Sequence, residues 1–219
     1  MFVDNSKKII CLSIPGINPI SAELFFREQL QNNVKWMLSK NFLISSLVSE
    51  NYLTSPILEY DIYGLCRNPI DRIVDDYLFY YTLPGTTDSI INAATGGMVP
   101  KQFYELSGAE GVLENIKIIL ERDFLIESIS MSDLRKRALF TNQVSWLKND
   151  GVLINHVFKY ENSDAMISEL CGRYSIDSNL YIKEETSPFF EEIKNNLGND
   201  LISKILEHYA EDKALYDSL

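Results

Sequence analysis

Residues 57–81, ILEYDIYGLCRNPIDRIVDDYLFYY, divide into three parts. Residues 57–66 read as a strand, Arg67-Asn68-Pro69 as the turn out of it, and the remainder as a helix. Asn68 can cap that helix and Pro69 can occupy its first position. Ile70, Ile73, Val74, Tyr77, Leu78 and Tyr81 fall at i, i+3, i+4, i+7, i+8 and i+11, which is one face of an amphipathic helix. The same layout stands upstream. Residues 8–14 (KIICLSI) are a short, nearly continuous apolar run, as in a buried parallel strand. Pro15, Gly16, Asn18 and Pro19 break it, and a helix pattern follows from about Ser21 through Phe26, Leu30, Val34 and Met37. Ser21 is a candidate N-cap, with Glu23 in the first turn.

Farther along, residues 84–111 are rich in Gly, Thr and Ser and read as loop with short helical pieces. Residues 109–122 return to a helix pattern. A strand is expected at 152–160 and a helix from about Ser163 to Arg173, with Ser163 or Asp164 as cap. A last amphipathic stretch runs from about Asp200 to Leu219. Strands alternating with helices imply an α/β sandwich around a mostly parallel sheet.

The 219 residues suit a single domain, 1–219, that folds without staples. No apolar run is long enough for a membrane-spanning helix, and MFVDNSKKIICLSIPG is too short in apolar residues for a secretory signal. Three dispersed cysteines, Cys11, Cys66 and Cys171, point to reduced thiols and lack zinc-site spacing. A bacterial-type cytoplasmic protein is expected. Twenty Lys and Arg against 31 Asp and Glu leave a net charge of −11, which argues against nucleic-acid and membrane partners.

Two strand-to-helix turns carry the candidate chemistry. Ile14-Pro15-Gly16-Ile17-Asn18-Pro19-Ile20-Ser21 lies where α/β proteins bind phosphate on backbone N–H groups. It has no GxxxxGK[ST], which argues against an ordinary ATPase or kinase, and it also fits a plain connection. In the second turn Arg67 leaves the carboxyl end of a strand, the edge where ligands collect in open α/β folds. Its planar fork suits a phosphate or sulfonate; pairing with a local carboxylate is the alternative.

The spacing R-x-P-x-x-R-x-x-x-x-Y over Arg67, Pro69, Arg72 and Tyr77 resembles the 3′-phosphate-binding segment of sulfotransferases. Further landmarks follow in that family's order: Asn142-Gln143, Trp146-Leu147, Asp150-Gly151, Tyr160-Glu161, and a closing Tyr209-x-x-Asp212-x-x-Leu215-Tyr216. The chain is most similar to the carbohydrate-type branch. This resemblance implies a P-loop-NTPase-like three-layer sandwich with a mostly parallel central sheet. It implies sulfonate transfer from 3′-phosphoadenylyl sulfate (PAPS) to a hydroxyl or amine on a small-molecule or glycan acceptor, without a metal, leaving adenosine 3′,5′-bisphosphate (PAP). Arg67 would hold the 3′-phosphate, and the Gly16, Asn18 and Ser21 loop the 5′ side.

The sequence departs from the family at that loop. Gly16 stands for the usual lysine, Ile17 and Ile20 for threonines, and Asn18 and Pro19 for glycines. Asp75 stands for a serine beside the 3′-phosphate. Losing one charge-stabilising donor costs about 10²–10³ in rate, so Lys101 or Arg135 would have to substitute. Glu50 lies near the position of the general base, but the family's pattern around it is missing. His156 reads as a satisfied core or surface histidine and His208 as structural. The RKR run at 135–137 reads as a solvated helix face. The alternative function is a binding or scaffold protein of sulfotransferase fold, with a protein partner, that no longer uses PAPS.

Overall fold

Within the opening stretch, Asp61–Cys66 form the strand that organises the sheet. The computed structural model describes residues 2–12, 14, 20–30, 34–36, 47, 51–82, 114, 117, 118, 120, 121, 124, 141–149, 151–182 and 190–219. The elements used below are β1 (Phe2–Asp4), β2 (Ile9–Cys11), α1 (Ile20–Leu30), β3 (Lys35–Trp36), β4 (Asp61–Cys66) and α2 (Pro69–Thr82). They continue as α3 (Val144–Leu147), β5 (Lys148–Asn149), β6 (Val152–Leu153), β7 (His156–Lys159), α4 (Ser163–Tyr174), α5 (Phe190–Asn195), α6 (Asn199–His208) and α7 (Ala210–Ser218). The chain forms two compact units. One comprises Met1–Arg67, Ala138–Glu185 and Glu211–Leu219; the other, Asn68–Arg137 and Thr186–Ala210.

The first unit is α/β. Its sheet has the order β3-β1-β2-β4-β7. β2, β4 and β7 run parallel, as expected, whereas β1 and β3 add antiparallel pairings. The register lines up Trp36, Phe2, Cys11, Tyr63 and His156 across one face. Phe2 meets Phe26 of α1 and Tyr174 of α4 there, at ring separations of 5.8 and 6.3 Å. On the opposite face Gly64 lets Leu147 of α3 and Ile154 close in. A Cβ at this position would lie 2.7 Å from Leu147 Cδ2 and 3.0 Å from Ile154 Cδ1. A β5–β6 hairpin turns at Gly151, whose φ of +80° favours glycine.

The second unit packs helices. Ile70, Ile73, Val74 and Leu78 of α2 are buried, as are Phe190 and Ile193 of α5 and Leu201 and Ile205 of α6. α2 contacts both of these helices. Burying each such side chain contributes about 1.5–3 kcal/mol. Asp71 on α2 pairs with Lys194 on α5 at 2.6 Å.

Several boundaries differ from the sequence expectation. The strand at 57–66 shortens to Asp61–Cys66 because Ile57–Glu59 form a 3₁₀ turn after Pro56, with Glu59 N–H donating to the Pro56 carbonyl at 3.0 Å. The strand at 8–14 shortens to Ile9–Cys11, since Lys8 has φ +56°, outside strand conformations. α1 ends at Leu30, and Lys35–Trp36 pair instead with β1, which was not anticipated. Ser21 lies inside α1 rather than at its cap. The strand at 152–160 divides into β6 and β7. α4 begins at Ser163 with no side-chain cap bond, because a 3₁₀ turn at Tyr160–Asn162 feeds it directly. The final amphipathic stretch divides at Tyr209. The expected loop at 84–111 lies outside the described residues, as does most of 109–122.

Candidate anion site at the carboxyl edge of the sheet

Arg67 is the residue immediately after β4, at the carboxyl end of that parallel strand. It is only 5% exposed, and its guanidinium carbon lies 4.2 Å from the centre of the Tyr160 ring, which follows β7. A cation over an aromatic face is attracted by the ring's quadrupole, and burial strengthens the attraction.

The backbone at Arg67 is fixed by a side chain. Its N–H donates to Gln143 Oε1 at 2.8 Å, and its carbonyl accepts from Gln143 Nε2 at 2.9 Å. One carboxamide thereby supplies the donor and acceptor that a further strand residue would offer. Gln143 is itself held by Asp212 near the start of α7. Asp212 Oδ2 accepts from Gln143 N–H at 2.8 Å and from Nε2 at 3.3 Å, and Oδ1 accepts from Val144 N–H at 3.0 Å. Gln143 and Asp212 are both fully buried. Three motif residues far apart in sequence therefore meet in one hydrogen-bonded chain. The sequence marked Gln143 and Asp212 only as landmarks; what they touch was not legible there.

The turn into α2 forms as expected. Asn68 Oδ1 accepts from Ile70 N–H at 3.0 Å, and Pro69 is the first helical residue. Within that second unit Arg72 is fully buried, its guanidinium 5.7 Å from the Tyr209 ring, and Asp75 is half-buried on α2.

Of the remaining candidates, Gly16, Asn18, Glu50, Lys101 and the run at 135–137, with Arg135, lie outside the described residues. Ser21 is helical, and its side chain is likewise not described.

His156 begins β7, at the opposite edge of the sheet from Arg67. Its ring stacks on Tyr63 at 4.4 Å, with Nε2 3.4 Å from Asp61 and Nδ1 3.5 Å from Glu169. Tyr63 donates to Glu169 at 2.8 Å, and Arg173 pairs with Asp61. Burial, then the bond to Glu169, pushes the Tyr63 hydroxyl well up, so it remains a neutral donor. His156 is thus a satisfied, partly exposed histidine. His208 packs edge-on against Tyr209 and Phe124, a structural position. Cys11, Cys66 and Cys171 are buried thiols, and burial pushes the Cys11 thiol up to about 11, which leaves it unreactive.

Among the described residues no helix is long and apolar enough to cross a membrane, and no three His, Cys, Asp or Glu are grouped as metal ligands. Comparison with protein-family models, curated proteins and solved structures finds no match to this chain, so its site is read from its own residues.

Proposed function

We propose that the chain is a sulfotransferase-like protein on a P-loop-NTPase-like three-layer sandwich, binding the 3′-phosphate of PAPS or PAP through Arg67. The observation that carries this reading is the buried Arg67 guanidinium on Tyr160, with its backbone clamped by Gln143 and, through it, by Asp212. The contact among Arg67, Gln143 and Asp212, all three at matched landmarks of the resemblance, supports this reading. A planar fork held at a strand's carboxyl end matches a phosphate better than a point charge would.

In the transfer, an acceptor hydroxyl or amine attacks the sulfur in line and the bond to the 5′-phosphate oxygen breaks. PAP leaves and the acceptor proton passes to a base. Loop residues Gly16 to Ser21 would bind the 5′ side, and Glu50 is the candidate base. The acceptor would be a small molecule or a glycan hydroxyl. Transfer of labelled sulfonate from PAPS to a panel of hydroxyl and amine acceptors tests the reading: activity in the wild type that Arg67→Ala abolishes is expected. No transfer to any acceptor would contradict it.

A second reading rests on the sequence itself. Gly16 in place of the lysine and Asp75 in place of the serine remove one positive group and add one negative group. They favour a binding or scaffold protein, with a protein partner, that retains the crevice without the chemistry. It predicts no PAP binding and no transfer, with Arg67→Ala leaving the protein's function untouched.

A further inference from the structure

We propose that Gln143 and Asp212 are positioning residues for the anion site, so that the C-terminal helix α7 sets the placement of the Arg67 guanidinium. The inference rests on the reading of Arg67 as a phosphate ligand. β4 last pairs with β7 at Cys66, opposite Lys159. One residue later the chain has left the ladder, and two residues after that it is helical at Pro69. Arg67 therefore sits where the ladder's own constraint has ended.

The Gln143 carboxamide supplies the missing constraint, bonding both backbone groups of Arg67. Its acceptor end faces the Arg67 N–H, and its donor end is shared between the Arg67 carbonyl and Asp212. Asp212 fixes Gln143 from behind through the Gln143 and Val144 backbone N–H groups. Every member is buried, so water cannot replace a lost partner at low cost. The path runs from α7 through the start of α3 to the end of β4, and all of it lies in one compact unit.

The corresponding clamp at the other end of β4 shows what an ordinary structural role looks like. There the exposed Asn155 accepts from Ile62 N–H at 2.7 Å and donates to the Tyr60 carbonyl at 3.2 Å, bridging two residues at the surface, whereas the buried Gln143 closes on both backbone groups of Arg67 alone.

The test compares wild type, Arg67→Ala, Gln143→Ala, Gln143→Glu, Asp212→Asn and, as a destabilised control away from the relay, Asp4→Asn. Titration with PAP reads the dissociation constant, and hydrogen exchange reads protection of the Arg67 backbone amide. Gln143→Ala removes both bonds that hold the Arg67 backbone, so it should weaken PAP binding about tenfold and speed Arg67 exchange by a similar factor. Gln143→Glu keeps the acceptor but sets a second carboxylate oxygen against Asp212 and the Arg67 carbonyl, so its Arg67 exchange should be at least as fast as that of Gln143→Ala. Asp4→Asn should lower thermal stability with affinity unchanged.

If Arg67→Ala loses PAP while Gln143→Ala and Asp212→Asn bind it as wild type does, the relay is overturned and the function reading stands. If wild type binds no PAP, the function reading falls. The exchange data then decide the relay alone: unchanged Arg67 protection in Gln143→Ala overturns it. Should Asp212→Asn fail to fold, the two Gln143 variants carry the decision.

Discussion

Arg67 combines a buried guanidinium, an aromatic platform and a clamped backbone, so its substitution separates ligand binding from folding. Arg67→Ala should weaken a bound phosphate by about 1.5–3 kcal/mol, or about 10- to 150-fold in affinity, as read by calorimetry. Arg67→Lys keeps the charge but loses the fork and the stacking on Tyr160, and should recover only part of that loss. At Gly64 the argument is steric. Gly64→Ala would push a methyl group against Leu147 and Ile154, and overpacking of this kind costs about 1–3 kcal/mol, measurable as a lower melting temperature. Little of this was legible beforehand. Arg67 stood out because a charged residue ended an apolar run, whereas the need for glycine at 64 arises from side chains more than eighty residues away in the chain.

At the scale of elements, α2 was the most readable segment because its signals are local. Asn68-Pro69 and the 3.6-residue apolar period depend only on neighbouring residues, and the cap bond from Ile70 to Asn68 forms as expected. Asn68→Ala should cost about 0.5–2 kcal/mol, seen in chemical denaturation as a lower midpoint with unchanged slope. Where the expectation missed, tertiary pairing decided. Three residues at Phe2–Asp4 are too few to show a period, yet they hold β2 on one side and β3 on the other. That pairing draws Lys35–Trp36 into the sheet, although Val34 and Met37 continue a helical spacing in the sequence. Asn155 and Gln143 extend the same lesson, since each takes the place of strand backbone, a role that residue type alone does not reveal.

At the scale of the whole molecule, a net charge of −11 makes the buried arginines Arg67 and Arg72 the more informative. Acid sensitivity has an identifiable source in the turn between β1 and β2. Burial alone would raise the Asp4 carboxyl, but hydrogen bonds from Ser6, Lys7 and Tyr174 together hold it below its ordinary value. A carboxyl depressed in the folded state contributes stability above its unfolded value, and that contribution is lost as pH falls through the folded one. Wild type should therefore lose stability from about pH 4 downward, and Asp4→Asn should flatten that part of the profile in thermal melts. An unchanged profile would remove Asp4 as the source. Calorimetric titration of PAP into wild type and Arg67→Ala examines the anion site at the carboxyl edge without any acceptor. Micromolar binding is expected in the wild type, weakened about 10- to 150-fold by the substitution; no binding at millimolar PAP, or equal binding in both proteins, would contradict the anion site.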